Sequence, residues 1–255
     1  MDLLTQWLVA IALNTVLLGL TWIAPKKLLT PAGLVHAWVL GVVLWGTLGW
    51  QGYVVMMFYF LVGSAVTRVG LAQKEAAGIA EKRSGARGPE NVWGSALVAT
   101  LCALAAYTVM GNEGMGNEGA ALITSLLILG YVASMSTKLA DTTATEIGKA
   151  YGKRTFLITT FQPVPRGTEG AVSLEGTLAG VVAAVAIALV AWAVGLITPV
   201  GVALCVIAAF IATNLESVIG ATLQSNYRWL TNEMVNIVNT FIGAGVAIAL
   251  GSVLL

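Results

Sequence analysis

Eight apolar runs alternate with short polar segments along the chain, each of about 17–25 residues and so long enough to cross a bilayer as a helix. They cover residues 3–23, 32–50, 52–70, 92–110, 119–140, 172–194, 197–215 and 234–254. Only Gly49, Trp50, Gln51 and Gly52 part the second run from the third, and residues 195–199 part the sixth from the seventh. Both junctions read as tight hairpins. The expected fold is all-α: a polytopic transmembrane helical bundle of about eight helices, forming one integral domain over residues 1–255. Gly176 and Gly180 give the sixth helix a small-xxx-small face that permits close helix contact. Trp22, Trp50 and Trp93 mark helix ends and Trp229 lies in a loop, whereas Trp38, Trp45 and Trp192 sit deeper, at packing positions.

Composition agrees with this pattern. The chain is 58% hydrophobic and 10% charged, against roughly 25% charged in a soluble domain. A net charge of +1 without a basic tail gives no sign of nucleic acid as a partner. Cys102 and Cys205 lie inside apolar runs and read as small buried hydrophobes. The N-terminus carries Asp2 where a signal peptide has a basic region, so the first span is expected to be retained, as in a prokaryotic or already trimmed protein.

Charge placement orients the bundle. With the N-terminus outside, all 13 basic residues fall in or beside the inner segments 24–31, 71–91, 141–171 and 216–233, while the outer side keeps only Asp2, Glu113 and Glu118. The positive-inside rule then predicts an N-out, C-out protein with its working face toward the cytosol; with no Arg-rich transit peptide read at the N-terminus, the membrane expected is a prokaryotic plasma or thylakoid membrane. The outer repeat GNEGMGNEG reads as a tolerated surface insertion.

The most polar stretch, residues 138–176, reads KLADTTATEIGKAYGKRTFLITTFQPVPRGTEGAVSLEG. Acids and bases beside a membrane span are costly to keep, which marks a functional site. Carboxylates can hold Mg²⁺ that also binds phosphate, and Lys, Arg and glycine-flanked N–H groups can hold the phosphates themselves. Asp141, Glu146 and Glu216 are the candidate metal ligands. Glu146 lies five residues from Asp141, so convergence needs a bend, which the intervening threonines permit; alternatively both acids pair with Lys138 and Lys149. Lys149, Lys153, Arg154, Arg166, Gly167, Thr168 and Gly170 are candidates for phosphate, and Glu169 for metal, base or sugar. Arg87 and Asn91 stand at the mouth of the fourth helix, either as an anion site or as a capped junction. Ser217 and Gln224 follow Glu216. Asn232, Asn236 and Asn239 recur along the last helix, for interhelical bonding or substrate contact.

At ADTTATEIGKAYGKR and RGTEGAVSLEGTLAG the chain resembles the integral membrane family that includes phytyl-phosphate kinase of plants and cyanobacteria. Its Asp-Thr-x-Ala-x-Glu-Ile-Gly pattern falls at 141–148, Gly-Thr-x-Gly-x-Val-Ser at 167–173, Glu-Ser-x-x-Gly-Ala-Thr-x-Gln at 216–224 and Thr-Asn-Glu-x-x-Asn at 231–236. The family pattern has Asp where this chain has Glu216, Gln in place of Asn91 and Asn in place of Ser95. More distantly, the motifs resemble those of dolichol kinase and phosphatidate cytidylyltransferase. The resemblance implies CTP or another nucleoside triphosphate as donor, Mg²⁺, and a prenyl monophosphate lipid, phytyl phosphate, converted to its diphosphate for tocopherol and phylloquinone-type synthesis. Asp141, Lys153 and Glu169 would then be catalytic. A lipid cytidylyltransferase, a polyprenol kinase and a transporter are the alternatives, and assembly as a homodimer stays open.

Overall fold

The computed structural model describes residues 3–23, 28–81, 85–111, 118–224, 226–227 and 229–255. Asp2, Lys26, Lys27, Lys82, Arg83, Glu113 and Arg228, with most of the GNEGMGNEG repeat, lie outside them. The chain forms α1 (Leu3–Ile23), α2 (Pro31–Thr67), the short α3 (Leu71–Ala76), α4 (Pro89–Gly111), α5 (Glu118–Tyr151), strands β1 (Thr155–Leu157) and β2 (Ala171–Ser173), α6 (Leu174–Ala193), α7 (Pro199–Ile219) and α8 (Asn232–Leu254). A π-helical turn, Gly220–Gln224, prolongs α7. The helices begin where the sequence supplies caps: the side chains of Thr30, Ser173, Thr198 and Thr231 each accept a backbone N–H three residues on. Pro31 and Pro199 occupy first-turn positions, where a missing N–H costs nothing.

The second and third apolar runs join as one element, α2, broken at a single residue. Gly49 has φ 66 and ψ −163, a conformation open essentially only to glycine. A straight helix would separate Gly33 from Gly63 by about 45 Å. Both instead abut Arg87, so α2 doubles back at Gly49 into a hairpin. The α6–α7 junction is also a hairpin. Leu196 N–H bonds the Ala191 carbonyl and Gly195 N–H bonds that of Trp192, with Gly195 at positive φ, the glycine-terminated helix end that frees the chain to reverse. The eight spans are therefore present. Trp192 is half exposed at the last turn of α6, because that turn is the helix end.

The spans alternate, which places their ends on two faces. Gln6 donates to the carbonyls of Trp45 and Gly46, Tyr131 donates to the carbonyl of Gly52, and Gly251 packs on Leu126 and Leu129. Both chain ends thus share one face with the Gly49 turn. The segments 71–81, 85–89, 152–173 and 220–224 gather on the other.

α5 is the axis, packing against α2, α4, α6, α7 and α8. Twelve successive residues, Leu129 through Ala140, are all buried, as expected of a helix surrounded by others. Sequence reading ends this helix near residue 140 and breaks it among the threonines; the structure continues it unbroken to Tyr151. Packing on both sides outweighs the weak helix preference of threonine. The small-residue contact is present: a Cβ on Gly176 would stand 2.5 Å from the Ala144 carbonyl oxygen, and one on Gly180 2.9 Å from that of Ala140. Gly176→Leu should therefore wedge α5 from α6 and lower the melting temperature in detergent, by about 1–3 kcal/mol of stability or more; a wild-type melting curve would refute this packing.

Candidate functional site

A cavity of about 380 Å³ opens among the polar segments. Its walls come from the last four turns of α5, residues 167–173, the first turns of α6 and α8, the final turns of α7, and Tyr59, Arg87, Asn91 and Ser95. The site is thus built from segments far apart in sequence but ending on one face.

Its deepest polar group is Lys138. The ammonium donates to Asp141 Oδ2 at 2.6 Å and to Asn236 Oδ1 on α8 at 2.7 Å. Asp141 lies directly against Glu216 of α7, with Glu169 near enough to add a third negative charge. Asn239 donates to Glu216 from α8. Two adjacent carboxylates repel strongly where water is scarce. Lys138 and Asn239 compensate them by donating, and with Asn236, which accepts from Lys138, they tie α5, α7 and α8 together. The asparagine stripe is thereby explained, since Asn232 likewise accepts from Gln224: it bonds between elements and, through those bonds, fixes the site.

The expected convergence of Glu146 on Asp141 does not occur. Five residues along an unbroken helix turn Glu146 well away from Asp141. Glu146 is buried against Lys74, whose ammonium also donates to the Thr67 carbonyl at 2.8 Å. That pair anchors α3 to α5. Among the described residues no three acidic, histidine or cysteine side chains form a metal-binding group. The donor set that remains, Asp141 with Glu216, matches a Mg²⁺ ion held by one or two carboxylates plus phosphate oxygens.

The phosphate candidates divide. Lys149, Gly167, Thr168, Glu169 and Gly170 line the cavity, as do Arg87, Asn91, Ser217, Gln224 and Asn232. Lys153 and Arg154 do not: both are exposed beyond the end of α5. Arg166 instead donates to the Ala150 carbonyl at 3.1 Å, where a cation satisfies the negative end of the helix. Arg87 is held by Tyr59, donating to its hydroxyl at 2.9 Å with the guanidinium 5.0 Å from the ring centre.

The glycine turn is fixed by its neighbours. β1 pairs antiparallel with β2, Phe156 opposite Val172. Gly170, at φ 74, presses on α7, where a Cβ would meet the Ser217 carbonyl oxygen at 2.6 Å. Gly167, at φ 85, packs on Ile79. Sequence reasoning missed the strands, because three residues are too few for a period-2 pattern to emerge. It also missed Tyr59 and Lys74, which lie in or beside apolar runs. His36 accepts from Trp93 Nε1 at 2.9 Å, a packing role, and both cysteines are free and buried.

Breaking the buried pair should destabilise the protein: Glu146→Gln or Lys74→Met alone should cost about 3–5 kcal/mol, and the apolar double variant should recover much of it. Melting curves of the three variants test this, and additive losses would show that the two residues do not act as a pair.

Residues 14–244 match the family model described as integral membrane protein DUF92. The chain is 65% identical over 244 residues to an uncharacterised membrane protein of Synechocystis sp., covering 96% of this chain and 91% of the relative. It is 47% identical over 223 residues to Protein VTE6, chloroplastic, of Arabidopsis thaliana, covering 86% of this chain and 64% of that protein. An uncharacterised membrane protein of Methanocaldococcus jannaschii shares 31% over 222 residues, 87% of this chain and 85% of the relative. No solved structure matches. The motifs, the eight-span bundle and these relatives agree: the chain belongs to the integral membrane protein family DUF92.

Proposed function

We propose that this protein is a prenyl-phosphate kinase that transfers the γ-phosphoryl group of CTP, or another nucleoside triphosphate, to phytyl phosphate. The observation that carries the reading is a cavity that brings Lys138, Asp141, Glu216, Lys149, Arg87 and the 167–170 glycine turn together at one end of an apolar bundle, a site suited to phosphate on a lipid. The motif resemblance to the family that includes phytyl-phosphate kinase supports the same acceptor.

Charge supports a phosphate site. α4, α6 and α8 all begin beside the cavity, and their positive ends favour anions. Lys138, Lys149 and Arg87 add three cations to its wall. Asp141 and Glu216 would hold Mg²⁺, which supplies neutralisation of the nucleotide's phosphate charge when bound. An oxygen of the acceptor phosphate attacks the γ-phosphorus, the bond to the bridging oxygen breaks, and the nucleoside diphosphate leaves. The attacking oxygen is already anionic near neutral pH, so no strong general base is required. The side chains work by positioning and by charge. The turn at Gly167 and Gly170, which lines the cavity, would bring backbone close to a bound phosphate. The site would face the cytosol, the side the basic loops favour.

Purified protein supplied with γ-labelled CTP and phytyl phosphate should form labelled phytyl diphosphate and CDP. Release of pyrophosphate with a CDP-lipid would replace the kinase reading with a cytidylyltransferase. Asp141→Asn and Glu216→Gln should each lower kcat by about a hundredfold or more; full activity in Asp141→Asn would remove that carboxylate from the chemistry.

A further inference from the structure

Arg87 is held in place from every direction but the cavity it lines. Its backbone is fixed on both sides. The Arg87 N–H bonds the Leu28 carbonyl at 3.0 Å and its own carbonyl accepts from the Thr30 N–H at 3.0 Å, a bridge that pairs Leu29 with Arg87. Its side chain is fixed as well. The guanidinium donates to the Tyr59 hydroxyl at 2.9 Å and lies 5.0 Å from the Tyr59 ring centre and 5.7 Å from that of Phe60. Tyr59 is only 3% exposed. One turn further along α2, Gly63 makes the room: a Cβ there would stand 2.8 Å from Arg87 Nη2. Glycine inside a helix is less favourable than alanine, and the nearest atom to this one's missing side chain is the guanidinium nitrogen. Yet among the described residues no carboxylate pairs with Arg87. An arginine oriented this closely, with donors to spare and no acid partner, presents them to an anion.

Tyr59 neighbours Lys138 as well, so one buried phenol adjoins both cations. Along α5 the cavity residues Lys138, Asp141, Thr145 and Lys149 follow at spacings of three, four and four, on one side of the helix. Lys138 with Arg87 makes an inner cationic pair. Asp141, against Glu216, comes next. Lys149 stands about 16 Å from Lys138 along the axis, where its carbonyl accepts from Arg166, beside the 167–170 turn. Two groups able to hold phosphate are thus set apart, with the carboxylates in between.

We infer that Arg87 with Lys138 seats the phosphate of the acceptor, that Tyr59 and Gly63 position Arg87 for it, and that the nucleotide's phosphates lie beyond the carboxylates, toward Lys149. The inference rests on the phosphoryl-transfer reading of the site and divides that site between its two substrates. Position decides which substrate takes which group. The apolar run of α5 ends near residue 140 and that of α4 begins near residue 92, so the inner pair lies at the edge of the hydrocarbon, where a lipid keeps its phosphate. The outer group stands further toward the water from which a nucleotide arrives. Chemistry agrees. A monophosphate ester carries close to two negative charges near neutral pH and brings no metal, so it needs cations of the protein's own. Lys138 is shared with Asp141, and Arg87 therefore carries the recognition. The nucleotide brings Mg²⁺, which needs carboxylates. The two phosphates then meet at Asp141 and Glu216, where the metal of the transfer belongs.

The test separates the two substrates. Gly63 does not line the cavity, and the atom that an added Cβ would displace is the far end of a long side chain, so Gly63→Ala should fold and shift the guanidinium. Gly63→Ala and Tyr59→Phe should each raise KM for phytyl phosphate about tenfold, with KM for CTP within about twofold of wild type. Arg87→Ala should lose more, and added guanidinium ion should recover part of the loss. A rise in KM for CTP alone, an equal rise for both substrates, or no change in either would overturn the inference. Binding is measured in parallel, without turnover, as the rise in melting temperature with phytyl phosphate, phytol or inorganic phosphate. The wild type should respond most to phytyl phosphate, and Gly63→Ala should lose that response while keeping its response to CTP with Mg²⁺. A response to phytol or to inorganic phosphate as large as that to phytyl phosphate would overturn the assignment to a lipid phosphate. If the wild type transfers no phosphoryl group but is stabilised by phytyl phosphate, and Arg87→Ala abolishes that stabilisation, the kinase reading fails and the phosphate seat stands. If Gly63→Ala does not fold, Tyr59→Phe, which keeps the ring, carries the same comparison.

Discussion

A lysine buried in the middle of a membrane bundle has to be answered by its surroundings, and the answer to Lys138 organises this protein. Its ammonium reaches Asp141 on its own helix and Asn236 on α8, while Asp141 leans on Glu216 of α7, which Asn239 of α8 holds in turn. An uncompensated charge at this depth would cost several kcal/mol. Three helices are therefore bound to one electrostatic arrangement. The cost of placing these charges here is offset only when all partners are present, so the cavity and the packing of α5, α7 and α8 stand or fall together.

The close approach of α5 and α6 complements that network from the opposite side. Gly176 and Gly180 bring α6 onto the carbonyls of Ala144 and Ala140. Without side chains between them, the two backbones form a rigid wall. On this wall Asp141 and the α6 N-terminus keep a fixed separation. Polar satisfaction on one flank and close van der Waals contact on the other hold the central helix straight through its threonines, where local preference alone would let it fray.

Much of this was legible in the chain. The spans follow from apolar run lengths and the two hairpins from the short junctions at Gly49–Gly52 and 195–199. Asp141, Glu216, Thr168 and Asn236, which line the cavity, stand out as candidates because polar groups are conspicuous in so apolar a sequence. What could not be read was partnership. Glu146 was expected beside Asp141 because the two are neighbours in sequence. Its partner is Lys74, 72 residues away, and no spacing rule points there. Lys153, Arg154 and Arg166 were expected at phosphate because they are basic and lie in the polar stretch. The unbroken helix carries Lys153 and Arg154 past the rim and leaves Arg166 to satisfy the end of α5. The strands escaped notice because two three-residue segments join across a 13-residue connection.

The single-residue reversal at Gly49 has a quieter consequence. A turn made by one residue leaves almost no loop, and the α6–α7 turn is scarcely longer, so neither reversal offers a segment with which to grasp a solute. The polar cavity opens at the opposite end of the bundle, so a solute reaches it from that end or sideways from the lipid. The bundle is thus asymmetric, bare at the end where its helices reverse and furnished with polar groups at the other.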